Sequence, residues 1–226
     1  MTRERIAGSL CGAVALLMAG QGAAQDVPSV ERQVAGATLV SEANPAVTIT
    51  VPEDARYLGA ERILINGRFD AELHVFAEAD AYGEIERFYW FQFESYLPDA
   101  EGSYDYRTTI PDVVGIDGFE MYMTPGGANT EGETITPGSD YAAFRGLVEE
   151  AGLRLPTWLS TLRLVHLPHS DDRTEFIVFY GEGPDGLAAA AAEAMLAGEP
   201  GLMFDDMLVQ FVDDVDALVT LEATGE

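Results

Sequence analysis

Three histidines are present in the chain, and two of them lie close to acids. His166 and His169 flank a loop that also holds Asp171 and Asp172, while His74 sits far upstream. Imidazole nitrogens and carboxylate oxygens together suit zinc or another divalent ion, and such an ion can activate water. A metal-dependent hydrolase using His74, His166 and His169 with Asp171 or Asp172 is therefore one reading. The spacing is generic. No His-Glu-x-x-His is present, and His74 joins only if its strand lies beside the other hairpin. The plainer assignment makes His166 a hydrogen-bonded strand residue and His169 an exposed loop residue.

Gly181-Glu182-Gly183-Pro184-Asp185-Gly186 fits G-x-G-x-x-G after a strand and before a helix, the setting of a dinucleotide fingerprint. Pro184 lacks the amide a pyrophosphate needs, and Asp185 places negative charge where the anion would sit. The motif therefore reads as a turn, with Asp185 capping the next helix, and no organic cofactor is expected. A divalent metal at the histidines is the one inorganic option. Glu78-x-Asp80-x-Tyr82-Gly83-x-Ile85 echoes a calcium loop, but Tyr89 stands where a bidentate glutamate is required. No G-x-S-x-G elbow is present.

The strongest binding signal is a run of aromatic and polar residues. A three-residue loop, 81–83, would pair Asp80 with Glu84 and set His74 opposite Trp90 and Val75 opposite Tyr89. One face then holds Leu73, Val75, Tyr89, Phe91 and Phe93. The other holds Glu72, His74, Phe76, Phe88, Trp90, Gln92 and Glu94. Flat rings interleaved with hydrogen-bonding groups can line a site for a small organic ligand. The predicted ligand-binding set is His74, Phe76, Phe88, Trp90, Gln92 and Glu94. The competing expectation is that helices cover this face and the rings are core. A one-residue slip would exchange the partners.

These residues must be positioned by hairpins. Val47, Ile49 and Val51 alternate with threonines before Pro52. Asn66-Gly67 and Asp117-Gly118 are type I′ turn signals. Residues 124–138, rich in Gly, Pro and Thr, read as a surface loop. A helix is expected from Ser139 or Asp140 to a stop at Gly152, with Phe144, Leu147, Val148 and Ala151 on one face. Residues 158–167 and 174–180 form a further hairpin. Helices are expected over 187–197 and along Phe204, Leu208, Phe211, Val212 and Val215, followed by a strand or continued helix at 218–221. The predicted fold is α+β: one domain over 46–226, mainly antiparallel sheet, with about three helices in the C-terminal half. An N-terminal arm, 25–45, carries one strand near 37–40.

Residues 1–24 resemble a signal peptide. Arg3 and Arg5 precede an apolar run over 6–20, and Gly22-Ala23-Ala24 suits cleavage before Gln25. The expected location is periplasmic or secreted. The sole cysteine, Cys11, lies inside that leader, so thiol catalysis and disulfides are not expected in the mature chain. Trimming leaves 38 acids against 10 arginines and no lysine, a net charge of −28. That charge disfavours nucleic acid and anionic membrane surfaces and favours cations or a basic protein partner. No later segment is apolar enough to span a membrane. The leading expectation is a non-catalytic exported protein that binds a small molecule or a partner through the aromatic and polar face. An envelope-assembly protein docking a basic partner is a third reading.

Overall fold

Period-two alternation of apolar residues runs through most of the chain, and in the computed structural model it produces two antiparallel sheets. The described residues are 29–110, 112–183 and 202–224, with side chains in the last segment from 209 onward. The expected leader, the Pro184, Asp185 and Gly186 half of the glycine motif, and the helix over 187–197 lie outside them, as do the side chains of Phe204 and Leu208.

In chain order the elements are β1 (Gln33–Ala35), β2 (Thr38–Glu42), β3 (Ala46–Thr50), β4 (Arg56–Ile65), β5 (Phe69–Ala79), β6 (Ile85–Tyr96), α1 (Tyr106–Thr109), β7 (Val113–Ile116), β8 (Phe119–Asn129), α2 (Asp140–Glu150), β9 (Trp158–His166), β10 (Thr174–Glu182), α3 (Leu202–Leu218) and β11 (Thr220–Ala223). The smaller sheet has the order β1-β2-β3-β11, and the larger β4-β5-β6-β10-β9-β8-β7. No described helix is long and apolar enough to cross a membrane.

One face of the large sheet packs on the small sheet and α3. Leu39, Val47 and Ile49 meet Phe76, Phe91, Leu164 and Val178 there, with Phe211 and Val215 closing the layer. The opposite face is covered by α2, whose Phe144, Leu147 and Val148 bury against Leu73, Val75, Phe88 and Trp90. Burying a side chain the size of Phe144 is worth roughly 1.5–3 kcal/mol. Ser139 caps α2 by accepting from the Ala142 amide, and Gly152 supplies the positive φ of 73° that ends it.

Several expectations need correction. Much of the predicted arm is built structure: β1 and β2 form a hairpin, and β2 pairs with β3. Part of the predicted 124–138 loop is strand, because β8 continues to Asn129 beside β9. No described strand lies on the other side of β8 beyond Met123, and such an edge tolerates Pro125. Gly126 is needed because a Cβ there would lie 2.6 Å from Thr161 Oγ1. The chain after Val215 is both alternatives in turn, helix to Leu218 and then strand from Thr220. A short helix, α1, was not foreseen and lies before the C-terminal half.

Candidate functional site

The turn between β5 and β6 forms as its residues dictate. The Asp80 amide donates to the Glu84 carbonyl at 2.9 Å, and Ala79 pairs with Ile85. The next pair is Glu78 with Arg87, so Glu86 is an extra residue in β6. This β-bulge moves every later partnership by one. His74 therefore faces Phe91, and Val75 faces Trp90. The bulge is held from β10's end, since the Gly183 amide donates to the Glu86 carbonyl at 2.8 Å. The predicted binding set is thus divided between two faces. His74 and Phe76 lie on the face toward the small sheet, and Phe88, Trp90, Gln92 and Glu94 on the face toward α2.

On the first face His74 is fully enclosed. Its Nε2 lies 2.9 Å from Glu72 Oε1, and Tyr57 Oη lies 3.0 Å from Nδ1. A proton on Nε2 satisfies both contacts, with Nε2–H donating to Glu72 and the tyrosine hydroxyl donating to Nδ1. Glu72 also accepts from the Glu31 and Arg32 amides, each at 2.9 Å, and pairs with the Arg32 guanidinium at 3.2 Å. Burial would raise its pKa, but these donors outweigh burial and hold it down at about 2. The cluster fastens the segment before β1 to the large sheet.

The other histidines lie elsewhere. His166 Nδ1 is 3.0 Å from the Glu120 carbonyl oxygen, and His169 Nε2 is 2.7 Å from Asn44 Oδ1. Asp171 accepts from the Arg173 amide, and Asp172 pairs with Arg107. Among the described residues no group of three or more His, Cys, Asp or Glu side chains could hold a metal ion. The predicted ligand set His74, His166, His169 and Asp171 is not brought together.

The described glycines of the G-x-G motif serve packing. A Cβ on Gly181 would lie 2.1 Å from the Phe88 ring, and one on Gly183 would lie 3.1 Å from the Ile85 carbonyl. Nearby, a cleft of about 540 Å³ is bordered by Asp80, Glu84, Glu86, Glu182 and Asp214 with Arg87. Its rim is mostly acidic, and none of the predicted binding residues lines it.

The second face holds the aromatic residues packed under α2 and a group of buried polar side chains. Phe88 packs 4.9 Å from Phe144, and Trp90 stacks between Phe144 at 5.1 Å and Phe179 at 4.7 Å. These two rings are core beneath α2, as the competing expectation held. Further along β6 the face turns polar. Glu94 stands directly opposite Glu175 of β10, and Gln92 opposite Ile177. Gln92 Nε2 donates to Glu94 at 2.8 Å. Arg163 of β9 reaches Glu175 at 3.5 Å.

A strap, residues 97–110, lies across this end of the face. Tyr104 donates to Glu94 at 2.7 Å, and Tyr106 to Glu175 at 2.5 Å. Arg163 donates to the Tyr106 oxygen at 3.0 Å. The strap's backbone is held by Arg173, which donates to the carbonyls of Leu97, Ala100 and Gly102, and by Arg68, which donates to that of Glu101. Burial pushes the Glu94 carboxyl up against the opposing hydrogen bonds of Tyr104 and Gln92. Burial pushes Glu175 up to about 7, with Arg163 opposing and the negative charge of Glu94 and Asp140 adding to the rise. Both tyrosine hydroxyls are raised, first by burial, and stay protonated donors.

Two buried polar atoms on this face have no partner among the described residues: Trp90 Nε1 and Gln92 Oε1. A donor and an acceptor are thus left unmet two residues apart on one strand face, and each such atom costs about 1–3 kcal/mol when buried unpaired. The sequence reading named Trp90, Gln92 and Glu94, and did not name Glu175, Arg163, Tyr104 and Tyr106, which the structure gathers at the same end of this face. Two signals were available: a charge inside the apolar strand Thr174-Glu175-Phe176-Ile177, and a tyrosine pair within an otherwise polar loop.

Comparison with protein-family models, curated proteins and solved structures finds no significant match to this chain.

Proposed function

We propose that this protein binds a small organic molecule, without reacting on it, where Gln92, Glu94 and Glu175 meet Tyr104 and Tyr106 of the strap. The observation that carries the reading is the unmet donor and acceptor at Trp90 and Gln92, buried beside two facing carboxyls. Natural cores rarely leave such atoms unpaired, and a ligand that hydrogen-bonds to them would remove that cost. Aromatic walls with a few convergent polar groups are the common makeup of small-molecule sites. The strap is the outer cover of the site: most of its residues are exposed, and Tyr104 and Tyr106 hold it to the sheet by their hydroxyls and by packing on Tyr96 and Tyr122.

In this reading the protein works in the periplasm or outside the cell, after loss of residues 1–24. The anionic, thiol-free composition of the remainder supports that setting. The metal-dependent hydrolase reading draws no support from the separated histidines, and docking of a basic partner rests on surface charge alone.

The test is a thermal-shift and calorimetric screen of small metabolites against the protein and its Trp90→Phe variant. A ligand that binds the native protein and loses affinity in the variant supports the reading. A screen without binders, or binders indifferent to Trp90, sinks it.

A further inference from the structure

Resting on the site proposed above, we infer that its ligand is a small ammonium compound that also carries an oxygen acceptor, an amino alcohol being the simplest case. The first argument is charge. Glu94 and Glu175 face each other in register, and the negative charge of Asp140 at the start of α2 acts on both. Among the described residues Arg163 alone pairs with either of them, at 3.5 Å from Glu175. Among the described residues the Glu94 carboxyl accepts from the neutral donors Tyr104 and Gln92 alone. The neighbouring Arg173 and Arg68 are turned to backbone carbonyls, and Arg107 to Asp172. A cation is the missing complement.

The second argument is donor count. Gln92 is wholly buried, and its amide nitrogen is committed to Glu94, which leaves Oε1 in the same cluster requiring a donor. An ammonium group has donors for Gln92 Oε1 and Glu94 together. Trp90 Nε1 requires an acceptor on the same face, which a hydroxyl oxygen supplies.

The third argument is the walls. Tyr104 and Tyr106 stack at 6.0 Å, and Tyr106 packs 5.7 Å from Tyr122. Aromatic faces attract ammonium groups.

The experiment titrates ethanolamine hydrochloride into the purified protein by calorimetry, with glucose as a neutral polyol and sodium chloride as the ionic control. It is run at about pH 8, above the value of about 7 for Glu175. One ethanolamine is expected per chain, with little effect from glucose or sodium chloride. Glu94→Gln and Glu175→Gln are each expected to weaken binding by about tenfold or more, the loss of a charge-assisted contact. Their unfolding midpoints are measured alongside, and the claim rests on whichever variant folds. Glucose binding without ethanolamine binding overturns the ammonium assignment and leaves the site standing. Binding of neither, or ethanolamine binding unchanged in a folded carboxyl variant, overturns the inference. A Trp90→Phe variant that also binds ethanolamine with native affinity removes the site as well.

Discussion

Glu94 and Glu175 lie directly across from one another on neighbouring central strands, on the same face, each less than a tenth exposed. Two carboxyls so placed resist simultaneous ionisation, and Arg163 offsets only part of the repulsion. The pair is costly for the sheet.

Glu175 makes stability depend on pH in a stated direction. Its pKa rises from 4.5 to about 7 on folding. Between these values the folded chain holds a proton that the unfolded chain has released, so this group's contribution declines as pH rises through that window. Glu94 acts in the same sense, and Tyr104, Tyr106, Arg163 and Asp140 are the other groups facing the pair. The Glu175→Gln variant is expected to flatten the decline between about pH 5 and pH 8 and to gain on the order of 2 kcal/mol at the upper end. Urea unfolding at a series of pH values measures it; an unchanged slope refutes it.

Glu72 acts oppositely. Its folded pKa of about 2 lies below the ordinary 4.5. The stability it contributes is therefore complete above about 4.5 and is lost as pH falls toward 2. Glu72→Ala strips the partner from His74 Nε2, Arg32 and two backbone amides, and is expected to cost about 3–5 kcal/mol at neutral pH. Limited proteolysis should then cut first near residues 29–35, and cutting elsewhere would contradict the clamp.

Gly181 is a packing glycine. Gly181→Ala pushes a methyl into the Phe88 ring and is expected to destabilise by about 1–3 kcal/mol. Adding Phe88→Leu should recover part of the loss. A double-mutant cycle reads the coupling directly, and additive losses would show that the two residues do not meet.

Trp90→Phe keeps the stack between Phe144 and Phe179 and deletes only the unpaired N–H with part of the ring. Removing an unmet buried donor offsets the lost area, so the ligand-free protein is expected to keep its unfolding free energy to within about 1 kcal/mol. A large fall would mean that Nε1 is already satisfied in the folded chain.

Local residue chemistry made much of the architecture readable. Asn66-Gly67 and Asp117-Gly118 marked turns that form with positive φ at all four positions. Ser139 and Gly152 bounded α2, and the spacing of Phe144, Leu147 and Val148 named its buried face. The 81–83 loop was read correctly as far as Ala79 and Ile85. These features depend on neighbours a few residues apart, and a linear chain displays such neighbours directly.

The division of the predicted binding set was decided by one residue, Glu86. Nothing local marks it as a bulge; its carbonyl is claimed by Gly183, about a hundred positions later. That distant hydrogen bond fixes a shift of one, and strand faces alternate with a period of two, so His74 and Trp90 end on opposite sides. The meeting of Glu94 with Glu175 has the same origin. Which strands become neighbours is settled by cooperative burial across the whole sheet, and no short stretch of sequence contains that information.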